Sequence, residues 1–583
     1  MNPLFFLLTA TIAFWLLGAL IHYSLNWGCQ AQNDRVDLFY IPILGLACII
    51  LIVTGLGVFK IQTNSTSLLI STGGVFLGPL IFLFYKTRKC PLRLTDFKKE
   101  HFVMGILLLV LLAAKLIEIR AILVPNWVDG LVHVAILQKL VQKGFIPIER
   151  IYHSGFHAAA IFIHFIFGIS LSNTILWFGQ WVALLTGLSF YAFLRKNKVN
   201  LLISFCGTIL YCMVFLFPSY LIAWGRYPFL LGLALVFPTI STTLDWVKNK
   251  HHYFEALIFL CALALVHYGA LLIWFSYLVS YFLLTKRKKM GPSHSSARLV
   301  RFVLLFLFPL TFLLLKGMNF LSQKSLQAML VGKLGNPDFG EDIRVVVSLI
   351  QKHDLLFLAI TFSIILSALL LKWKPTVRFA VWPIVLFFLV WAQYTAIGFS
   401  VTSYVNALIF LSGPIVILCM FALQHIFVKT SKFHGKNKLY VRRVFIPVVL
   451  AVFSVIGICS SWNLITPGTT LFTFEDSMAM TWIQTHTSQD ATFFIQSFIW
   501  GDELMPSDGG GWISVLTGRN VIYPTTVGEF QDMADYATDH SVNYIYFGKE
   551  FDPDFKLKLE DINTPYQVVF QTKNVMILKL NTP

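Results

Sequence analysis

Charge is scarce in this sequence. Only 13% of its 583 residues are Asp, Glu, Lys or Arg, where soluble globular chains carry about 25%. That excludes an ordinary soluble enzyme. Cysteine is sparse as well. The eight lie at 29, 48, 90, 206, 212, 261, 419 and 459, none spaced as Cys-x-x-Cys and none in the last segment. A disulfide framework or a cysteine-rich zinc site is excluded with them. There is no His-Glu-x-x-His pattern, no phosphate loop ending in Gly-Lys-Ser/Thr, and no dinucleotide fingerprint. Neither internal repeats nor low-complexity tracts occur. The 55 Phe and 57% hydrophobic content exclude a disordered chain.

What is present is apolar sequence in long runs. Mean hydropathy is +0.73, and a spanning helix needs about 20 apolar residues. Runs of that kind occupy 3–23, 38–59, 67–85, 102–119, 172–194, 200–217, 228–244, 254–267, 270–285, 302–317, 355–371, 377–394, 405–427 and 444–462. The chain is therefore expected to be a polytopic α-helical membrane protein with about 14 transmembrane helices. The N-terminus is apolar from Pro3 without a basic leader, which predicts an anchor helix.

The net charge of +17 is unevenly placed. Residues 463–583 carry −9 and the remainder +26. The basic excess sits in short segments between apolar runs: 86–101, 195–198, 286–301 and 428–443. That is the positive-inside pattern, not a nucleic-acid patch. For these clusters to share the cytoplasmic side, the apolar stretch 153–169 must not cross. Segments 130–143 and 154–169 are then expected as helices lying at the outer surface. The expected organisation is a membrane domain over 1–462 with outer loops 120–171 and 318–354, and a soluble extracytoplasmic α/β domain over 463–583. Both termini would lie outside a plasma membrane. The C-terminal pattern predicts helices at 477–485, 511–516 and 528–538. It predicts strands at 491–498, 520–523 and 542–547, and a closing hairpin 566–571/574–580.

Few residues in the outer loops carry chemistry. Asp129 is the only acid between Glu118 and Glu149. It stands where chain leaves lipid and a helical pattern starts. A carboxylate there can take a hydroxyl proton, and Asp is equally a favoured helix cap. His133 follows four residues on, on the same helix face. His153 and His157 repeat that spacing beside Tyr152, which suits a metal pair or interfacial anchors. Arg226, in Trp224-Gly225-Arg226-Tyr227-Pro228, is the only charge between Lys198 and Asp245. It suits a phosphate grip or a snorkelling headgroup contact. His267 and Tyr268 sit in a tight turn and are read as cavity lining or belt residues. Lys139, Lys143, Arg150, Lys324, Lys333 and Arg344 can reach lipid phosphate or plain solvent. Lys115 and Glu118, three apart in one span, are expected to pair. In the C-terminal segment, Asp508-Gly509-Gly510-Gly511-Trp512 precedes a helix and Arg519 follows it. Both fit a sugar or anion contact, or an ordinary loop.

With these residues in view, the chain resembles the GT-C superfamily of integral membrane glycosyltransferases, architecturally along its whole length. Three places carry the resemblance locally. The first is the outer loop with Asp129 near its start, then a helix, Gly144-Phe145-Ile146-Pro147 and a second helix. The second is the Trp-Gly-Arg-Tyr-Pro turn. The third is Trp482-Ile483-Gln484-Thr485 with Asp508 to Ile513 and Leu516-Thr517-Gly518-Arg519. The Trp-Trp-Asp-Tyr-Gly motif of oligosaccharyltransferases and the His-Pro-Pro motif of protein O-mannosyltransferases are absent, so the resemblance stops at the superfamily. It implies a polyprenyl-phosphate sugar donor and inverting transfer on the outer face to a glycan, lipid or protein acceptor. Asp129 would be the catalytic carboxylate. His133, His153, His157, Arg226, Tyr227, His267, Asp508 and Arg519 would be the candidates for substrate contact. Some members use a divalent cation, Mg2+ or Mn2+, and others none; Asp129, His133 and His267 would be the ligands to consider. Two other readings compete. A transporter or flippase of lipid-linked saccharides would show repeated halves and midplane polar groups. A non-enzymatic envelope glycan-binding protein would tolerate loss of Asp129. A polysaccharide polymerase or ligase is a neighbouring enzyme class.

Overall fold

The computed structural model describes residues 2–25, 39–87, 99–147, 154–249, 251–284, 307, 362, 365, 376–391, 404–431, 446–466, 469–500, 503–523, 540–549 and 566–580. Its helices in chain order are α1 (Pro3–Leu25), α2 (Ile41–Val58), α3 (Ser65–Thr87), α4 (Lys99–Glu118), α5 (Trp127–Lys143), α6 (Ser154–Phe167), α7 (Leu171–Lys196) and α8 (Leu201–Ile209). Then come α9 (Leu216–Ala223), α10 (Tyr227–Asn249), α11 (Tyr253–Val266), α12 (Tyr268–Leu284), α13 (Thr376–Trp391), α14 (Tyr404–Ser431) and α15 (Ile446–Trp462). Among the described residues, seven helical stretches are long and apolar enough to cross a bilayer, and four shorter helices are also apolar. The chain is a polytopic helical membrane protein with a small C-terminal sheet domain. The expected runs 302–317 and 355–371, and the loop 318–354, fall almost wholly outside the described residues.

The helices sort by burial. Every residue of α7 from Thr174 to Leu194 is buried, as suits a helix that is apolar all round. Ser170 caps its start, accepting the Asn173 N–H at 3.4 Å. By contrast, α3 leaves Leu69, Ile70, Leu77, Ile81 and Phe84 exposed, a face that only lipid can solvate well.

After α8 the chain passes through a π segment (Leu210–Val214), breaks at the extended residues Phe215 and Phe217, and forms the short α9 before the turn at Trp224 to Arg226. One expectation is corrected here: α6, expected at a surface, is enclosed by other helices. Ser154 to Ile163 are all buried. Phe156 stacks on Phe178 of α7 at 5.1 Å, and Phe162 meets Phe14 of α1 at 6.0 Å. Phe14 in turn touches Trp181 at 4.8 Å. The start of α6 thus packs on α7, and its later turn packs on α1. It is an apolar wedge inside the bundle, which explains why its sequence looks like a span.

The C-terminal domain holds α16 (Phe474–His486), β1 (Thr492–Ile495), β2 (Ser497–Trp500), β3 (Glu503–Pro506), a 3-10 turn (Gly509–Trp512), α17 (Ile513–Thr517), β4 (Asn520–Ile522), β5 (Tyr544–Phe547), β6 (Tyr566–Gln571) and β7 (Met576–Leu580). One sheet has the order β4-β1-β5-β7-β6, parallel at β4-β1-β5 and antiparallel beyond. The expected strand 491–498 divides at Gln496: β1 enters this sheet, while β2 pairs with β3 in a separate hairpin. The expected helix at 528–538 lies outside the described residues.

Candidate functional site

The first turn of α5 carries Asp129, the one acid among the described residues of 120–171. Asn126 takes the cap position in an extended conformation, without a side-chain cap bond. Asp129 is therefore inside the helix and not its cap, which corrects that reading. Its charge still faces the helix's free N–H groups, a favourable place for an anion. Just before it, Trp127 has φ of 58°. A left-handed conformation costs a non-glycine residue about 1–2 kcal/mol. Such strain persists where surrounding contacts over-determine the backbone.

The turn between α9 and α10 docks on this helix start. Gly225 has φ of 68°, and a Cβ there would lie 2.6 Å from both the Asn126 carbonyl oxygen and the Gly130 nitrogen. Only glycine permits this approach. The approach delivers Arg226 to Asp129, 97 residues distant in sequence, with Nε donating to Oδ2 at 3.2 Å. Trp224 supports the guanidinium from beneath, 4.8 Å from ring centroid to Cζ. Arg226 is 29% exposed in its side chain and Asp129 38%. A pair this open contributes about 1 kcal/mol or less. It is cheap to separate, so a phosphate or hydroxyl can enter between its members.

The surrounding protein pushes the Asp129 carboxyl above the usual carboxylate range, and the charge and hydrogen bond of Arg226 pull the other way. A carboxylate of raised basicity is a better proton acceptor near neutral pH. The buried Nδ2 of Asn126, one turn back, has no partner among the described residues.

Other expected site residues cluster around this pair, at different depths. Tyr227 is fully buried, its ring 6.4 Å from Phe156, and its hydroxyl reaches the Asn126 backbone. It braces the turn from within the packed interior. His133 and His157 come together, ring centroids 5.3 Å apart, but both are buried against Phe156. They are packing histidines here, not interfacial anchors. His267 stacks on Phe229 at 4.4 Å and accepts the Gly269 N–H through Nδ1 at 3.1 Å. It is half-buried, and its neighbour Tyr268 lies within electrostatic reach of Arg226. Lys115 and Glu118 do pair, at 2.6 and 2.9 Å, fully buried with Ser461 close by. His153, Tyr152, Arg150, Lys324, Lys333 and Arg344 lie outside the described residues.

Asp508 and Arg519 belong elsewhere. Asp508 is buried, with Oδ1 accepting the Gly510 N–H at 2.8 Å and Oδ2 the Gly548 N–H at 2.6 Å. Arg519 donates to the carbonyls of Thr517, Gln484 and Thr487 at 2.7, 3.0 and 2.9 Å, and to Thr487 Oγ1 at 3.3 Å. It ties the end of α16 to α17. Both side chains are engaged within the fold of the C-terminal domain.

A divalent cation does not fit the residues described. Asp129 Oδ2 is engaged by Arg226, His133 is enclosed by rings, and His267 Nδ1 holds Gly269. Among the described residues no three His, Cys, Asp or Glu side chains gather as a metal site. Mg2+ and Mn2+ want several oxygen ligands, so no step below runs through a metal.

No family model matches the chain, and no curated protein matches it. Solved structures do. An Archaeoglobus fulgidus oligosaccharyltransferase is similar at 13% identity and TM-score 0.47, covering 76% of this chain and 67% of its own. The mycobacterial arabinofuranosyltransferase AftD is similar at 12% identity and TM-score 0.48, covering 84% of this chain. This chain spans 40% of the length of AftD. The function proposed next rests on this chain's own residues.

Proposed function

We propose that this protein is a GT-C-type membrane glycosyltransferase. It transfers a sugar from a polyprenyl-phosphate donor to a hydroxyl of a glycan, lipid or protein acceptor on the extracytoplasmic face. The observation that carries the reading is the partly exposed Asp129–Arg226 pair, built by two segments remote in sequence and held by the Gly225 contact. An acid of raised basicity and a fixed guanidinium are the two charges this transfer needs.

In the proposed step, Asp129 accepts the proton of the acceptor nucleophile. The freed electron pair attacks the anomeric carbon from the face opposite the lipid phosphate. The bond from that carbon to the phosphate oxygen breaks, and its electron pair leaves on the phosphate. Arg226 then meets the charge that develops there; a donor aimed at such charge is among the larger catalytic terms. The anomeric centre inverts.

The test is reconstitution in liposomes with a mixture of polyprenyl-phosphate sugars, reading release of free polyprenyl phosphate. Wild-type release that Arg226→Gln and Asp129→Asn both lose supports transfer at this site. A folded wild type that moves lipid-linked sugar across the bilayer without releasing lipid phosphate would replace the reading with transport.

A further inference from the structure

We infer that the C-terminal sheet domain holds the Asp129-bearing turn of α5 through one glycine contact, Gly511 on Leu131, and that this contact sets the rate of transfer. The inference rests on the transfer reading above and adds a positioning role for a second domain.

The glycine run that resembled an anion loop has no open cradle. Gly509, Gly510 and Gly511 are all buried. A Cβ on Gly509 would strike Asp476, and one on Gly510 would meet Ile495 at 2.7 Å and Tyr546 at 2.9 Å. Those two glycines pack inside their own domain. Gly511 faces outward from it: a Cβ there would lie 2.8 Å from Leu131 Cδ2 of α5 and 2.8 Å from Pro506 Cβ. The third glycine is thus the seat of the domain on the membrane-domain helix.

A second contact lies one turn back. Trp127 and Val128 form a hydrophobic cluster with Leu471, with Met505 of β3 against it. Val128 and Leu131 are three residues apart and share one face of α5. The sheet domain covers that face. Asp129, turned about a quarter-circle or more from it, is left for Arg226. Holding Val128 and Leu131 fixes the rotation of the first turn about the helix axis, which decides where the carboxylate points. The same contacts clamp Trp127, whose left-handed backbone would otherwise relax.

Displacing a reacting group by about 1 Å can cost as much as 100-fold in rate. A methyl on Gly511 would meet Pro506 as well as Leu131, so the contact is tested from the α5 side. Leu131→Ala removes the side chain that rests on Gly511, and Leu131→Met keeps an apolar one there. Release of polyprenyl phosphate is measured for wild type and both variants. Hydrogen exchange of the amides 128–134 is followed in the same preparations. We expect Leu131→Ala to slow release at least about fivefold and to speed exchange in α5, with Leu131→Met close to wild type in both. Loss should appear in the turnover rate and not in the donor KM, because the donor is gripped by Arg226. Wild-type release by Leu131→Ala, or altered exchange with unchanged release, would overturn the inference. If wild type releases no lipid phosphate at all, the transfer reading and the claim on its rate fall together. Exchange in α5 then still reports whether the contact exists.

Discussion

Asp129 and Asp508 make an instructive pair. Each is an acid at the start of a helical turn, and each has an arginine in the same part of the fold. In the C-terminal domain, both Asp508 oxygens accept backbone N–H groups, and Arg519 spends itself on three carbonyls and a hydroxyl. Everything is buried and satisfied. At α5, Asp129 meets one ionic partner among the described residues, and both side chains stay about one third exposed. The same residue types are mortar in one place and, in the proposed function, reagents in the other. What separates them is hydrogen-bonding capacity left over after folding, which sequence does not display.

That contrast can be broken or sharpened. The largest effect is expected from Asp129→Asn, which removes the proton acceptor and keeps the shape. Release of lipid phosphate should fall about 100- to 10,000-fold, read by single-turnover assay, with thermal stability unchanged. Next comes Arg226→Gln, expected to cost roughly 100-fold in release. It should also move the pH profile. Asp129 works only when ionised, so activity falls as pH drops through its pKa, which burial already holds above the ordinary carboxylate range. Arg226 opposes that rise, so its loss pushes the acid limb to still higher pH. A profile that stays in place would break the coupling.

Smaller effects belong to the structural pair, and they should appear as stability. Asp508→Ala strands two buried N–H groups, a cost of about 2–4 kcal/mol. Protease resistance of the sheet domain in the full-length protein would report it. Arg519→Lys keeps the charge and loses most of the fork, a cost of about 1–2 kcal/mol. If either variant lost activity while its domain stayed fully protected, the division between mortar and reagent would fail.

Much of the fold was legible in local pattern. Helices α5 and α6 follow from periodicity. The depth of α6 was not legible: an apolar helix buried by other helices has the same composition as one facing lipid. The strand 491–498 read as one piece because its alternation runs unbroken past Gln496, and only pairing partners divide it. At the site, Asp129, Arg226 and the shaped Trp-Gly-Arg-Tyr-Pro turn each stood out by isolation of charge or by glycine. Their meeting did not, because it spans 97 residues. Tyr227, His133 and His157 looked like surface polar groups and proved to be packed, since aromatic rings with one polar edge suit either place. The Gly511–Leu131 contact gave no sequence signal beyond the glycine run itself.

The most direct test compares lipid-phosphate release by wild type and Asp129→Asn, in preparations whose thermal midpoints match. The account predicts release by wild type and its near-complete loss in the variant at equal stability. Full release by Asp129→Asn would contradict it, and would move the reacting base away from α5.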